Sequence, residues 1–178
     1  LEVRDNAIVN LDHAWVPEFA ALSPSSTINF NAISTIPAGT SGNLHIGGSG
    51  TKNLSQGETI VMGEFTTDNI ILKGAPSNTS ILTLYGDVKL NNTGSIAADN
   101  TIHYNFVSDT VQTIDLAGDM AAFRLSMAEN NKLTFNNPSG IPFTIKIGST
   151  NGGGIEPGNG SVLNIGNNIL ELSGGATI

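Results

Sequence analysis

Three aspartates, Asp109, Asp115 and Asp119, followed closely by Arg124, are the residues of this chain best suited to chemistry. Glycosidases and polysaccharide lyases use carboxylates on neighbouring strands as acid and base, or as calcium ligands. The local pattern places Asp109 and Asp119 in turns and Asp115 on the outer face of a strand. Because turns and outer faces commonly carry solvated carboxylates, we favour a structural role for all three and assign no catalytic residue.

Metal chemistry has little support in the sequence. His13, His45 and His103 are far apart, and none has a companion at the spacing that metal-binding histidines use on a helix. His45 and His103 each stand between two apolar residues and so lie opposite an apolar face, which puts them on the solvent side. There is no cysteine, so disulfides and thiolate metal sites are excluded. We predict neither a metal site nor a cofactor.

Serine chemistry is also weakly supported. A catalytic triad assembles in space, so sequence order does not test for one. The Gly-x-Ser-x-Gly turn of many hydrolases is absent, since Thr51 stands where Ser49 would need the second glycine. The glycine-rich stretch 151–160 lacks the aspartate of calcium-binding nonapeptides and has Glu156 as its only carboxylate. We predict a flexible loop there, and the ligand-binding residues stay unknown.

All of these residues lie on short strands or in the polar corners between them. The stretch 161–175 shows this pattern most clearly. Two short apolar runs, 162–165 and 169–172, flank the corner Gly166-Asn167-Asn168. Side chains on a strand alternate between its faces, so Leu163 and Ile165 share one face. Glycine and asparagine accept the backbone conformations of a tight corner. The unit is strand, polar corner, strand.

This unit recurs about every ten residues from Thr59 onward, which favours a sandwich, a barrel or a β-solenoid. Further strands are predicted at 60–62, 69–72, 81–85, 88–90, 102–106, 114–116, 123–127, 133–135 and 143–147. Residues 1–58 are less regular, with strands at 7–11 and 27–36 and a loop over 37–50. A short helix is predicted within 12–22, where Trp15 and Phe19 are core or capping residues.

The charge and the apolar pattern of the chain argue against nucleic acids and membranes as partners. Charged residues make up only 12% of the chain, against about a quarter in a typical protein. The net charge of −8 and the pI near 4.6 argue against nucleic-acid binding, which requires a basic face, and against attachment to anionic lipid. No apolar run is long enough to span a bilayer, so we expect no membrane insertion by this chain.

We predict an all-β protein, a parallel β-helix segment, with a β-sandwich as the alternative. Corners of unequal length favour the solenoid over tight hairpins. Abundant asparagine suits hydrogen-bonded ladders between stacked coils. Sparse charge suits a stack in which each coil is held by its neighbours. The predicted division is an irregular part or cap at 1–58 and a solenoid at 59–178.

The segments DNIILKG (68–74), TIDLAGD (113–119), NKLTFNNPSG (131–140) and SVLNIGNNILELSGG (161–175) resemble passenger domains of bacterial autotransporters, and most closely the rickettsial surface-antigen family. The resemblance covers about residues 59–178. It implies a secreted, right-handed β-helix displayed outside the bacterial outer membrane by a C-terminal membrane barrel that this chain lacks. It carries over no catalytic residue.

Three functions follow as expectations. The preferred one is a non-enzymatic, surface-displayed or secreted passenger segment that acts as adhesin, stalk or shield. A host-cell protein or glycan is then the expected partner, and the ends of the solenoid allow self-association. The alternatives are a polysaccharide-acting β-helix enzyme, for which the three aspartates are the candidates, and a structural subunit of a surface layer or fibre.

Overall fold

A computed structural model describes residues 2–12, 21–75, 79–92, 101–148 and 152–178, and within these ranges every regular element is a β-strand. The strands, in chain order, are β1 (Glu2–Val3), β2 (Ile8–Leu11), β3 (Ala21–Leu22), β4 (Thr27–Phe30), β5 (Thr35–Ile36), β6 (Gly39–Ser41), β7 (Asn43–Ile46), β8 (Gly50–Leu54), β9 (Gly57–Val61), β10 (Phe65–Lys73), β11 (Ser80–Leu84), β12 (Val88–Asn92), β13 (Ile102–Phe106), β14 (Val111–Leu116), β15 (Met120–Ala122), β16 (Arg124–Met127), β17 (Lys132–Asn136), β18 (Thr144–Ile147), β19 (Gly154–Glu156), β20 (Val162–Asn164) and β21 (Ile169–Leu172).

The strands stack in parallel as a β-solenoid of about six turns, which confirms the predicted parallel β-helix. Sheet 1 follows the order β2-β4-β7-β10-β12-β14-β17-β20, with β8 paired to β10 and β5 paired to β8. Sheet 2 follows β6-β9-β11-β13-β16-β19, and sheet 3 follows β15-β18-β21. A two-stranded pair, β1 with β3, precedes them. A sandwich built from hairpins would require antiparallel pairs, and every pairing between the described strands is parallel.

Coil length varies along the stack. Hydrogen bonds between side chains on successive coils join residues from 16 to 31 positions apart. The extra residues lie in the corners and in a bulge of β10 between Asp68 and Ile70, while the other strand pairs keep their register. The sequence therefore has no repeat of fixed length, although corresponding strands of neighbouring coils pair with one another in the same sheet.

Alternation along each strand builds one continuous core inside the coils. In β13, for example, Ile102, Tyr104 and Phe106 point inward, and the rings of Tyr104 and Phe106 stack with their centroids 6.5 Å apart. The fully enclosed Tyr104 hydroxyl has a raised pKa because burial disfavours its charged form. The largest fully buried side chains are Tyr104, Phe65, Phe106, Phe135, Ile36, Ile46, Leu54, Ile70, Leu82, Leu84, Leu90 and Ile102.

At the corner after sheet 2, three coils approach one another through glycine. A Cβ atom at Gly42 would lie 2.4 Å from the Ser26 carbonyl oxygen, and one at Gly63 would lie 2.2 Å from Asn43 Oδ1. Gly86 lies on the next coil and passes as close to the backbone below it. Only glycine fits such approaches, so this corner sets the spacing of the coils.

Buried amides continue the same corner on the following coils. The Gln112 side chain donates to the carbonyl oxygens of Leu84 and Gly86, at 3.1 and 2.9 Å. Asn131 donates to Gln112 Oε1 at 2.7 Å and to the Ser108 carbonyl oxygen at 2.8 Å. Gln112 is 1% exposed and Asn131 is fully enclosed, so these bonds replace water for backbone groups inside the stack.

Three predictions about loops and boundaries can be compared with the observed strands. The predicted loop over 37–50 is wrong, because β6 and β7 lie within it and pair with β9 and β4. The stretch 151–160 contains β19, which pairs with β16. The predicted boundary at residue 58 coincides with no break in pairing, since β9 spans it. The helix predicted within 12–22, with Trp15 and Phe19, falls largely outside the described residues.

The last coil leaves apolar side chains uncovered. Val162 in β20 is 52% exposed, and Ile169 in β21 is 55% exposed. Leu163 and Ile165 are partly buried against the core, which confirms the face predicted for them. In sheets 1 and 3 these strands have a parallel neighbour on one side only.

Candidate functional site

The three aspartates do not share a site. Asp109 is exposed in the corner before β14, and Asp115 lies on the outer face of β14, where it accepts a hydrogen bond from Asn136 at 2.9 Å. Asp119 lies beyond the strand, before β15, and accepts a hydrogen bond from the Thr144 backbone at 2.7 Å. An extended strand rises about 3.3 Å per residue, so the part of β14 from Val111 to Asp115 covers about 13 Å, and Asp109 lies in the corner before its start.

The histidines are likewise dispersed. His45 lies on the outer face of β7 in sheet 1, His103 lies on the outer face of β13 in sheet 2, and His13 lies outside the described residues. Within the described ranges, no three His, Asp or Glu side chains are grouped so that they could hold a metal ion.

The outer face of sheet 1 uses its polar groups to bond one coil to the next. Asn29 donates to Asn10 Oδ1 at 2.6 Å, and Asn91 donates to Asp68 at 2.7 Å. These contacts are the ladders that the asparagine content predicted. A single column of paired positions on successive strands consists of Asn10, Asn29, His45, Thr66, Lys89, Asp115 and Asn136.

An ion pair strengthens the middle of this column. The Lys89 ammonium bonds to the Glu64 carboxylate on the neighbouring coil. That hydrogen bond lowers the pKa of Glu64 and raises the pKa of Lys89, because each charged form stabilises the other. Both side chains are about half exposed, so the pair contributes little to folding.

The outer face of sheet 2 holds a different arrangement, in which four reactive or charged side chains contact one another. His103 comes from β13, Arg124 and Ser126 from β16, and Glu156 from β19. Strand register brings them together: His103 is paired with Arg124, and Ser126 is paired with Glu156. We call these four residues the sheet 2 cluster.

Ser126 lies at the centre of the cluster. Its Oγ is 2.7 Å from Nε2 of His103, and it donates to Oε2 of Glu156 at 2.9 Å. The other carboxylate oxygen of Glu156 is 2.9 Å from a guanidinium nitrogen of Arg124. The hydroxyl carries one proton and has two acceptors within reach, so its direction is tied to the tautomer of His103.

His103 is kept neutral by its surroundings. Burial lowers its pKa most, and the Arg124 guanidinium lowers it further, while the Glu156 carboxylate acts in the opposite direction. A neutral imidazole can accept a proton at neutral pH. The outward position predicted for His103 is confirmed, but the side chain is half-buried and hydrogen-bonded.

Arg124 completes the cluster. Its guanidinium carbon lies 5.5 Å from the centre of the Phe123 ring, and its Nε is buried and has no hydrogen-bond partner. The ring, together with Glu156, fixes the cation beside Ser126.

The cluster contains the residue types of a catalytic triad in a different order. In a triad the imidazole lies between the hydroxyl and the carboxylate, whereas here the hydroxyl lies between the imidazole and the carboxylate. Chemically, the arrangement offers a hydroxyl with a neutral base on one side and a paired carboxylate on the other.

The sequence did not predict this cluster. Ser126 is unremarkable in a serine-rich chain, and Glu156 lies in the stretch predicted as a flexible loop. The partners are 23 and 30 positions apart, which matches no fixed period. The alternation of Phe123, Leu125 and Met127 was the available signal, since it directs Arg124 and Ser126 to one outer face.

Comparison with protein-family models, with curated proteins and with solved structures gives no match for this chain. In the part of the chain that the structure describes, no helix has the length and apolar character needed to cross a membrane.

Proposed function

We propose that this chain is a non-enzymatic solenoid segment displayed on a bacterial cell surface, where it serves as a stalk that presents adhesive or shielding surface. One observation carries the proposal: parallel coils are bonded to their neighbours through both backbone and outer side chains. In pairs such as Asn29 with Asn10 and Asn136 with Asp115, the polar side chains form hydrogen bonds between neighbouring coils. A stack of this kind gives length and stiffness, and its corners give variable contact surface.

Length follows directly from the stacking. Neighbouring strands lie about 4.8 Å apart, so the path from β2 to β20 spans about 35 Å. Sparse charge and a polar, uncharged exterior suit a protein outside the cell whose strength does not depend on ion pairs. The resemblance to autotransporter passenger domains supports the same location.

Accessibility on intact cells tests this proposal. Cells that produce the native protein are treated with proteinase K, and an antibody against residues 101–148 follows the chain. We expect loss of the signal without cell lysis, while a cytoplasmic protein in the same cells stays intact. Protection of the chain until the cells are lysed would contradict surface display.

Adhesion is tested separately, because a stalk need not bind. Beads coated with the folded chain are compared with beads coated with the same chain after heat denaturation. Binding of only the folded form to host cells or to glycan arrays supports the adhesin role. Equal binding of the two would indicate nonspecific contact and leave the chain as a stalk.

A structural subunit of a layer or fibre is the second candidate. The exposed apolar residues of the last coil, among them Val162 and Ile169, favour it. Open strand edges next to apolar side chains promote end-to-end association. Among the described residues, no contact favours a polysaccharide-cleaving role for Asp109, Asp115 and Asp119, so that function stays a prediction from the sequence.

A further inference from the structure

We propose that Ser126 is a nucleophilic hydroxyl that reacts with small activated phosphoryl or acyl esters, with His103 as the group that takes its proton. This assignment concerns a covalent modification site on the outer face of sheet 2. It does not depend on the proposed surface role, which rests on the stacking of the coils.

The first support is the contact between Ser126 and His103. Their Oγ and Nε2 atoms are 2.7 Å apart, which is the distance over which a general base removes a hydroxyl proton. In the tautomer that carries its proton on Nδ1, the imidazole presents a free Nε2 lone pair to the hydroxyl. Half-burial beside the Arg124 cation keeps this imidazole neutral at pH 7.

The second support is the way Glu156 and Arg124 fix the serine. Glu156 is tied to Arg124 through one oxygen at 2.9 Å and to Ser126 through the other at 2.9 Å. The hydroxyl carries one proton, so it donates either to Glu156 or to His103, and the proton reaches Nε2 when the hydroxyl turns from the carboxylate to the imidazole. The paired Glu156 and Arg124 keep the serine oxygen next to His103. The guanidinium lies on the same strand and face, where its charge stabilises negative charge that develops on a reacting ester.

The third support is access. The side chain of Arg124 is 36% exposed and that of Glu156 is 53% exposed, so the cluster opens to solvent. A small reagent can approach Ser126 from outside without any movement of the core.

The reaction with diisopropyl fluorophosphate is balanced as follows. Ser126 Oγ attacks the phosphorus atom, and its proton moves to Nε2 of His103. The P–F bond breaks as the O–P bond forms, and fluoride leaves with its electron pair. The imidazolium then returns its proton to solvent, which leaves a diisopropylphosphoryl serine and a neutral histidine.

Labelling with diisopropyl fluorophosphate tests the proposal. The purified chain is incubated with the reagent, the adduct is counted by intact mass, and its position is found by peptide mapping. We expect one adduct, on Ser126, which is absent in Ser126→Ala. His103→Asn should slow labelling by about 100-fold or more, since general-base assistance contributes about 10²- to 10⁴-fold.

Ser139 provides the matched control. It is an exposed serine whose hydroxyl is bonded to the Asn137 amide oxygen at 2.7 Å and has no imidazole beside it. Ser139→Ala should leave the adduct on Ser126 unchanged. The labelling rate of the unaltered chain should fall as acid protonates His103, and this dependence should vanish in His103→Asn.

The outcomes are distinguishable. No adduct on Ser126 in a folded chain, or labelling of Ser126 and Ser139 at equal rates, would overturn the proposal. Labelling of Ser126 that is as fast in His103→Asn would remove His103 as the base and overturn it equally. Far-UV circular dichroism confirms the fold of each variant, and none of these results bears on surface display.

Discussion

Gly86 passes so close to Gly63 on the preceding coil that a Cβ atom on Gly86 would lie 2.3 Å from the Gly63 carbonyl oxygen. Both partners in this contact are backbone, so neither can turn aside as a long side chain would. The distance between these coils is therefore set by the absence of a side chain at one residue.

We expect Gly86→Ala to lower the free energy of unfolding by about 3 kcal/mol or more, because the methyl group would force two coils apart. Urea unfolding followed by circular dichroism measures the change. Gly140→Ala is the matched control: it has open space around it and a φ of 72°, so we expect only about 1 kcal/mol from backbone strain. Equal losses in the two variants would contradict the contact.

The buried amide of Gln112 gives a second prediction. Gln112→Met keeps the approximate volume but removes the bonds from Gln112 to the carbonyl oxygens of Leu84 and Gly86 and the bond that it accepts from Asn131. Each of these bonds lies inside the stack and a net hydrogen bond is worth about 1 kcal/mol, so we expect a loss of at least about 2 kcal/mol in urea unfolding.

Asn136→Ala is the control for Gln112. Its bond to Asp115 is exposed, so we expect a loss under about 1 kcal/mol. If Gln112→Met were as mild as Asn136→Ala, the buried amides would not be holding the coils at this corner.

The third prediction concerns pH. The folded pKa of His103 lies below its ordinary value of 6.5, so the unfolded chain takes up the proton first as pH falls. Its contribution to stability is complete above pH 6.5 and decreases as pH falls through the folded pKa. We expect urea midpoints from pH 7.5 to 5 to show this decrease, and His103→Gln to remove that part of it.

Glu156→Gln checks the sign of this effect. The Glu156 carboxylate raises the pKa of His103, so its removal should lower that pKa further and widen the pH range of the decrease. A narrower range in Glu156→Gln would contradict the role of the Glu156 carboxylate in raising the pKa of His103.

The exposed last coil supports a fourth prediction. Ile169→Lys should reduce self-association of the chain, because it places a charge on the outer face of β21, the strand whose open edge lies at the end of the stack. Sedimentation velocity over a series of concentrations measures the effect. Val111→Lys, at a residue 59% exposed on a middle coil, should leave association unchanged. A chain that is monomeric at all concentrations would contradict end-to-end contact.

Local pattern was enough to predict the strands, because a strand such as β13 shows its buried face directly in the alternation of Ile102, Tyr104 and Phe106. It failed for β6, whose residues Gly39–Ser41 carry no apolar alternation. β6 is a strand because its backbone pairs in parallel with β9 on the next coil, and a local sequence pattern does not contain that pairing. Corner glycines and asparagines were predicted as turns for the same local reasons.

The sheet 2 cluster could not be predicted in this way. His103, Ser126 and Glu156 meet only when the lengths of two intervening coils are known, and those lengths depend on how many residues each corner holds. Hydroxyl, imidazole and carboxylate groups then come together through register rather than through a motif.

The unequal coils also show where the chain can change in length. Strands must keep their inward faces and a few corners must stay small, but the corner between β17 and β18 holds exposed residues such as Pro138 and Ile141. Because these side chains lie outside the core, this corner can be lengthened while the strands on either side stay paired, and it offers a site for grafting a foreign peptide.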